Sequence, residues 1–257
     1  MARVRWAWGR EAAAAVALAS IAASNALAAA PTAAQPPLVP LPAEIVAGEG
    51  WFSLSASIPI HVAADDAEAG AAARYLADRL SQARGLRLAV RTDGPAAGSQ
   101  HGTPGITFER ISGLAAEAYR IEVIPEGVRI AATTGAGLFY GAVTLWQLLP
   151  AGRGAGQVAA QLINDSPAHA WRGLLLDSAR HLQSPQFVKS MLDWMAWHKL
   201  NVLHWHLTDD QGWRLEIRKY PRLTSVGGCR VPAAAAAMKP PPYCGYYTQA
   251  QVIDIVA

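Results

Sequence analysis

Apolar positions along the 257-residue chain change their spacing several times, and each change marks an element. Residues 57–62 read as a short strand. Over 66–84, Ala69, Ala73, Leu76 and Leu80 fall at three- to four-residue steps, one face of a helix that Gly85 stops. Strands follow at 86–90 and 106–109, separated by a loop at 94–105. Residues 119–124 and 128–132 alternate on either side of Pro125-Glu126-Gly127, a turn signature that predicts a hairpin. An apolar helix runs over 135–149 and ends at Pro150, before a glycine-rich link at 152–156. Runs of strands with two helices predict a small α+β domain over 43–166.

The pattern changes at Trp171. A continuous apolar run at 173–176, ended by Asp177, predicts a strand buried on both faces. Ser184 caps and Pro185 opens a helix with Phe187, Met191, Trp194 and Met195 facing inward, ending near His198. A second apolar strand covers 201–206. Strand, helix and strand make a βαβ unit, so the two strands are parallel neighbours. A long loop spans 207–247, and Thr248 and Gln251 then form a capping box that opens another helix. The chain stops ten residues into it, so 167–257 reads as a domain cut short.

Composition and charge narrow the class. Apolar residues make up 52% and charged residues 16%, enough for a sizeable core and unlike a disordered chain. Arg3, Arg5, Arg10 and Glu11 supply two of the three net positive charges, so no basic face marks a nucleic-acid partner. Those arginines precede an apolar run at 12–23, too short to span a bilayer, and then Ala26-Leu27-Ala28. This is the pattern of a secretory signal peptide over 1–28, with an uncleaved anchor as the alternative. Export to the periplasm or beyond, with no membrane attachment after cleavage, is the expectation. Residues 29–42 carry five prolines and read as an extended lead-in. In an oxidising compartment, Cys229 and Cys244, 15 apart with no zinc-type spacing, are candidates for a disulfide, two free thiols being the alternative. His61 and His101 stand alone and read as structural or exposed.

In parallel α/β folds, ligands bind beyond the carboxyl ends of the strands. Those ends carry Asp177-Ser178-Ala179-Arg180-His181 and His204-Trp205-His206-Leu207-Thr208-Asp209-Asp210. Asp177, Arg180 and Asp209 could be a structural ion network. They could instead bind a ligand: Arg180 offers a planar fork of donors for vicinal hydroxyls or a carboxylate, and Asp209 offers acceptors for hydroxyl or amide donors. Five of the nine tryptophans (171, 194, 197, 205 and 213) fall in this region. Indole faces stack on sugar rings; Trp194 and Trp197 read as helix core, and Trp213 is the better site candidate. A zinc hydrolase using His204, His206 and Asp209 is a third reading, although nothing further completes a metal site.

The stretches 171–173, Leu176-Asp177-Ser178-Ala179-Arg180-His181, 199–214, Lys219-Tyr220-Pro221 and 245–249 together closely resemble the β-N-acetylhexosaminidases, the family twenty glycoside hydrolases. Residues 37–166, with the weaker motif Gly137-Leu138-Phe139-Tyr140-Gly141, resemble the α+β domain that precedes the barrel in that family. The resemblance implies a (β/α)8 TIM barrel, of which this chain holds the first two βα units. It also implies release of terminal N-acetylglucosamine or N-acetylgalactosamine from β-linked glycans or chitooligosaccharides, with retention and with the substrate's acetamido oxygen as nucleophile. Neither cofactor nor metal is implied. Arg180 and Asp209 match substrate-holding positions, and Asp177, His204, Asp210 and Trp213 take supporting roles. The family's catalytic Asp-Glu pair has no match, because the chain contains no Asp-Glu dipeptide. The 91 residues after 166 also fall far short of the ~250 of a typical barrel. The chain alone is therefore expected to be inactive; a non-catalytic sugar-binding protein is the alternative from another class.

Overall fold

A computed structural model describes residues 38–92, 105–230 and 243–256. The leader at 1–28, residues 29–37 of the lead-in, His101 and the loop at 94–104 lie outside the described residues. No described helix is long and apolar enough to cross a membrane.

The first layer is a seven-stranded mixed sheet with two helices. In chain order it comprises β1 (Glu44–Leu54), β2 (Ile60–His61), α1 (Ala67–Arg84), β3 (Val90–Arg91), β4 (Gly105–Arg110), β5 (Tyr119–Ile124), β6 (Gly127–Ala132), α2 (Gly135–Leu148) and β7 (Gly156–Asp165). The sheet order is β1-β7-β5-β6-β4-β2-β3. Its first three pairings are antiparallel and the rest parallel. The β5–β6 hairpin and both helices follow the expected pattern. Asp66 caps α1 by accepting from Ala69 N (2.9 Å), and Gly85 ends it in the left-handed region at φ 73°. Ala69, Ala73, Leu76 and Leu80 are buried against a core that includes Ile60, Ile106, Phe108, Ile121, Ile130 and Leu138. Gly137 and Gly141 let α2 lie close on the sheet. A Cβ there would sit 2.4 Å from Ala118 O or 2.5 Å from Ile130 Cγ2.

Two expected strands shrink. Residues 57–62 pair only at Ile60–His61 and 86–90 only at Val90, while Leu86 and Leu88 are buried without joining the ladder. Two strands were not expected at all. The alternation of β1 is broken by a bulge between Ala47 and Trp51, and as an edge strand it buries only Phe52 and Leu54. β7 is built largely of Ala, Gln and Asn, which carry little strand signal.

The second part holds β8 (Gly173–Asp177), α3 (Pro185–Trp197) and β9 (Val202–His206), with the two strands parallel as the βαβ pattern predicts. Burial of β8 on both faces is not observed: Leu176 is buried but Leu175 is 58% exposed. β9 is its only strand neighbour among the described residues. The inward face of α3 also differs. Its stripe runs through Val188, Leu192 and Met195, one residue out of step with Phe187 and Trp194, which are 45% and 68% exposed. Trp197 does pack, edge-on against Trp146 of α2 at 3.9 Å. The expected loop at 207–247 contains a two-residue ladder of β10 (Thr208–Asp209) with β11 (Gly212–Trp213), a helical turn α4 (Arg222–Ser225), and a second ladder of β12 (Cys229–Arg230) with β13 (Tyr243–Cys244). The capping box opens α5 (Gln249–Val256): Thr248 N donates to Gln251 Oε1 (2.9 Å) and Gln251 N to Thr248 Oγ1 (3.2 Å).

Buried charge joins the two parts. Lys199, just before β9, is buried and adopts φ 56°, a left-handed conformation that costs a side-chain-bearing residue about 1–2 kcal/mol. Its Nζ donates to Tyr119 Oη (2.6 Å) and to Asp165 Oδ2 (3.1 Å), and Tyr119 Oη also donates to Asp165 Oδ2 (2.6 Å). Burial pushes the Lys199 amine down despite the carboxylate. It would push Asp165 up, but the bonds from Tyr119 and Lys199 hold that carboxyl below its ordinary value. Beside this cluster Arg172, just before β8, forms a fork with Glu117: Nη1–Oε2 2.8 Å and Nη2–Oε1 3.1 Å. Lys199→Ala strands a buried carboxylate, so it is expected to cost about 3–5 kcal/mol in urea unfolding. Lys199→Met combined with Asp165→Leu should cost less than that single change; an equal or larger loss would contradict the account.

Candidate functional site

Backbone pairing assembles the site. Asp177 stands opposite His206 in the β8–β9 register, so both strands end at one rim. Ser178 N and Ala179 N each donate to His206 O at 3.0 Å, which turns the chain after β8 across the end of β9. Asp177 closes that turn: Oδ1 accepts from Arg180 N (3.1 Å) and Oδ2 from Arg180 Nη1 (2.8 Å). Arg180 Nη2 lies 2.8 Å from Asp209 Oδ2, an oxygen also 2.9 Å from His206 Nε2. Asp209 Oδ1 accepts from Asp210 N at 2.7 Å, and the β10–β11 ladder holds Asp209 opposite Gly212.

The electrostatics follow from these bonds. The Asp210 backbone N–H and then the His206 side chain lower the Asp209 carboxyl to about 2, with Arg180 adding to the effect. Burial alone would raise Asp177, but the side-chain and backbone donors of Arg180 hold it below the usual carboxylate range. Two carboxylates therefore stay ionised around one cation. Of the five N–H donors of Arg180, one on Nη1 bonds Asp177, while Nη2 forms an ion pair with Asp209. The side chain is 43% exposed, so solvent reaches it. Such a fork, rigid and flanked by acceptors, suits a neutral polyhydroxylated ligand better than an anion, since the carboxylates already balance its charge.

Other sequence candidates take lesser places. Asp210 supplies its backbone N–H while its side chain is exposed. His204 is exposed, its ring 6.2 Å from that of His206. Trp213 Nε1 donates to Leu215 O (2.7 Å). Zinc finds no ligand set: among the described residues no three His, Cys, Asp or Glu side chains gather to hold a metal, and His206 is engaged with Asp209. Cys229 and Cys244 are opposite each other in the β12–β13 ladder and are bonded, with S–S 2.07 Å.

Several residues behind the rim carried no assigned role in the sequence. Arg214 is fully buried and donates to backbone carbonyls around the Arg180 turn. Ser178 Oγ meets Trp205 Nε1 (2.9 Å), Gln183 Oε1 (2.7 Å) and Tyr247 Oη (3.1 Å). The available signal was position: Ser178, Trp205 and Arg214 all lie inside the stretches that carry the family resemblance.

Known proteins place the chain. The family model described as glycosyl hydrolase family 20, domain 2, matches residues 35–166, and the one described as glycosyl hydrolase family 20, catalytic domain, matches 169–257. The chain belongs to glycosyl hydrolase family 20. A β-hexosaminidase of Porphyromonas gingivalis is 36% identical over 226 residues, covering 85% of this chain and 28% of that protein. A β-N-acetylhexosaminidase of Cellulomonas fimi is 40% identical over 185 residues, covering 70% and 34%. Among solved structures, the exo β-N-acetylglucosaminidase of Vibrio harveyi in complex with N-acetylglucosamine superposes with TM-score 0.75 at 30% identity, over 86% of this chain and 34% of that one. The Streptomyces plicatus N-acetyl-β-hexosaminidase gives TM-score 0.72 at 38% identity, over 85% and 42%. The chain thus spans about a third or less of the curated relatives it matches.

A carboxyl held below its unfolded value stabilises the fold fully above that value, near 4, and the contribution is lost as pH falls through about 2. Carbon-detected NMR titration should therefore place the Asp209 midpoint near 2. His206→Phe should raise it more than Arg180→Ala does, and the reverse order would refute the ranking of causes.

Proposed function

We propose that these 257 residues belong to a retaining β-N-acetylhexosaminidase, in which Arg180 and Asp209 hold ring hydroxyls of the terminal N-acetylhexosamine. The observation that carries this reading is the part-exposed Arg180 guanidinium, fixed between two strand ends by ionised Asp177 and Asp209, in a family 20 chain. β8 and β9 are read as the first two strands of a (β/α)8 barrel, whose sites lie at this end of the strands. Residues 1–28 are read as a secretory signal, in keeping with the bonded cysteines.

The chemistry follows the substrate-assisted route: the acetamido oxygen attacks the anomeric carbon, while a carboxylic acid protonates the departing oxygen. The 257 residues carry no Asp-Glu pair for orienting the acetamido group and supplying that proton. Glu216, the only glutamate after residue 166, accepts from Gln249 N through Oε2 (2.9 Å) at the start of α5, so it serves the helix. The reading for this chain is sugar binding without turnover.

Purified protein should release no chromophore from 4-nitrophenyl N-acetyl-β-glucosaminide above a blank, and turnover would overturn the inactive reading. Calorimetric titration with N-acetylglucosamine should show binding that Arg180→Ala weakens at least about tenfold, the loss of charged hydrogen bonds. Absence of heat at millimolar sugar would reject the site.

A further inference from the structure

Arg180 is held at both ends, and its backbone end is held by a second hairpin. The Arg180 carbonyl oxygen accepts from Tyr243 Oη at 2.6 Å and from Arg230 Nη1. Arg230 and Tyr243 are opposite each other in the β12–β13 ladder, next to the Cys229–Cys244 pair. Both donors can reach one oxygen only while those two strands stay together. A ladder of two residue pairs is marginal on its own.

Two further features keep it closed. One is the disulfide itself. The other is Arg214, fully buried, whose Nη1 donates to Gly228 O (2.5 Å) and Gly245 O (2.9 Å), the residues flanking the bonded cysteines. Its Nε donates to Ala179 O (3.2 Å), the carbonyl just before that of Arg180, and its guanidinium lies 5.1 Å from the centre of the Tyr243 ring. No carboxylate pairs with Arg214 among the described residues; its charge is met by three carbonyl oxygens and by Tyr243, through the ring and through the hydroxyl, which accepts from Nη2 at 3.4 Å. Only a planar fork can serve oxygens from three segments at once. Gly212 leaves the necessary room, since a Cβ there would stand 2.7 Å from Ala179 O and 2.9 Å from Arg214 Nη2.

We infer that the Cys229–Cys244 hairpin, keyed by Arg214, is a clamp that positions Arg180, so that Arg214, Arg230 and Tyr243 set sugar affinity without touching the sugar. The link to affinity rests on the reading of Arg180 as a sugar ligand. Two consecutive carbonyls, those of Ala179 and Arg180, are fixed, which fixes the direction in which the Arg180 side chain leaves the backbone. Ordering a free arginine side chain on binding costs conformational entropy, and the clamp removes part of that cost in advance.

The test uses the full 257-residue chain and two variants. Tyr243→Phe deletes one hydroxyl and keeps the ring; Cys229→Ser with Cys244→Ser opens the covalent tie. Each is compared with the parent by calorimetry with N-acetylglucosamine, by thermal unfolding, and by NMR relaxation of the Arg180 Nε–Hε group. Tyr243→Phe removes the bond to Arg180 O and the longer one from Arg214 Nη2, and should weaken binding about three- to tenfold, with the unfolding midpoint nearly unchanged and Arg180 Nε–Hε more mobile. The double serine variant should mobilise Arg180 further. Lowered melting temperatures with unchanged Arg180 relaxation in both variants would reduce the hairpin to a structural part and overturn the clamp. If the parent binds no sugar, the sugar reading fails, and the clamp still stands or falls on the Arg180 relaxation data.

Discussion

Asp177 beside His206, in a parallel register of five residue pairs, is the arrangement on which the site depends. Parallel strands deliver their ends to one edge, so Arg180, three residues past the first end, can meet Asp209, three past the second. A slip of one residue would turn the whole strand over and send Asp177 to the other face. An antiparallel pairing would place the two acidic clusters at opposite ends. The carbonyl of His206 reinforces the register by accepting from both Ser178 and Ala179.

The register is secured at the far end of the same strands. Arg172 precedes β8 and Lys199 precedes β9, and both run into the first layer, to Glu117 and to the Tyr119–Asp165 pair. Buried charge is thus concentrated where the strands begin, and the Asp177–Arg180–Asp209 cluster where they finish. The buried charges at the joint specify one docking: Lys199 satisfies Asp165 and Tyr119 only if β9 starts three residues after it. A purely apolar joint would tolerate sliding.

What could be read in the sequence tracks how local its cause is. α1 and the β5–β6 hairpin follow from periodicity, caps and a turn, all within about twenty residues. The βαβ unit follows from continuous apolar runs. β1 and β7 pair with each other across more than a hundred residues, and Gly48, Gly50 and the alanines of β7 erase the alternation that would mark them. On α3, Met195 is buried as expected, but the large aromatics Phe187 and Trp194 stay exposed and the smaller Val188 buries instead. Arg180 and Asp209 stood out because charged residues follow apolar strands. His206 appeared only as a possible metal ligand and instead lowers the Asp209 carboxyl. Arg214, Arg230 and Tyr243 act through backbone carbonyls, whose positions no residue pattern encodes.

The disulfide closes the β12–β13 segment at its neck, with twelve residues between Arg230 and Tyr243. A covalent neck separates the length of what lies beyond it from the geometry behind it. Residues can be added or removed between those two positions at a cost that grows only as the logarithm of loop length, while the carbonyl of Arg180 keeps its two donors. This makes the span an insertion point, where the chain can change length without moving the Arg180 carbonyl.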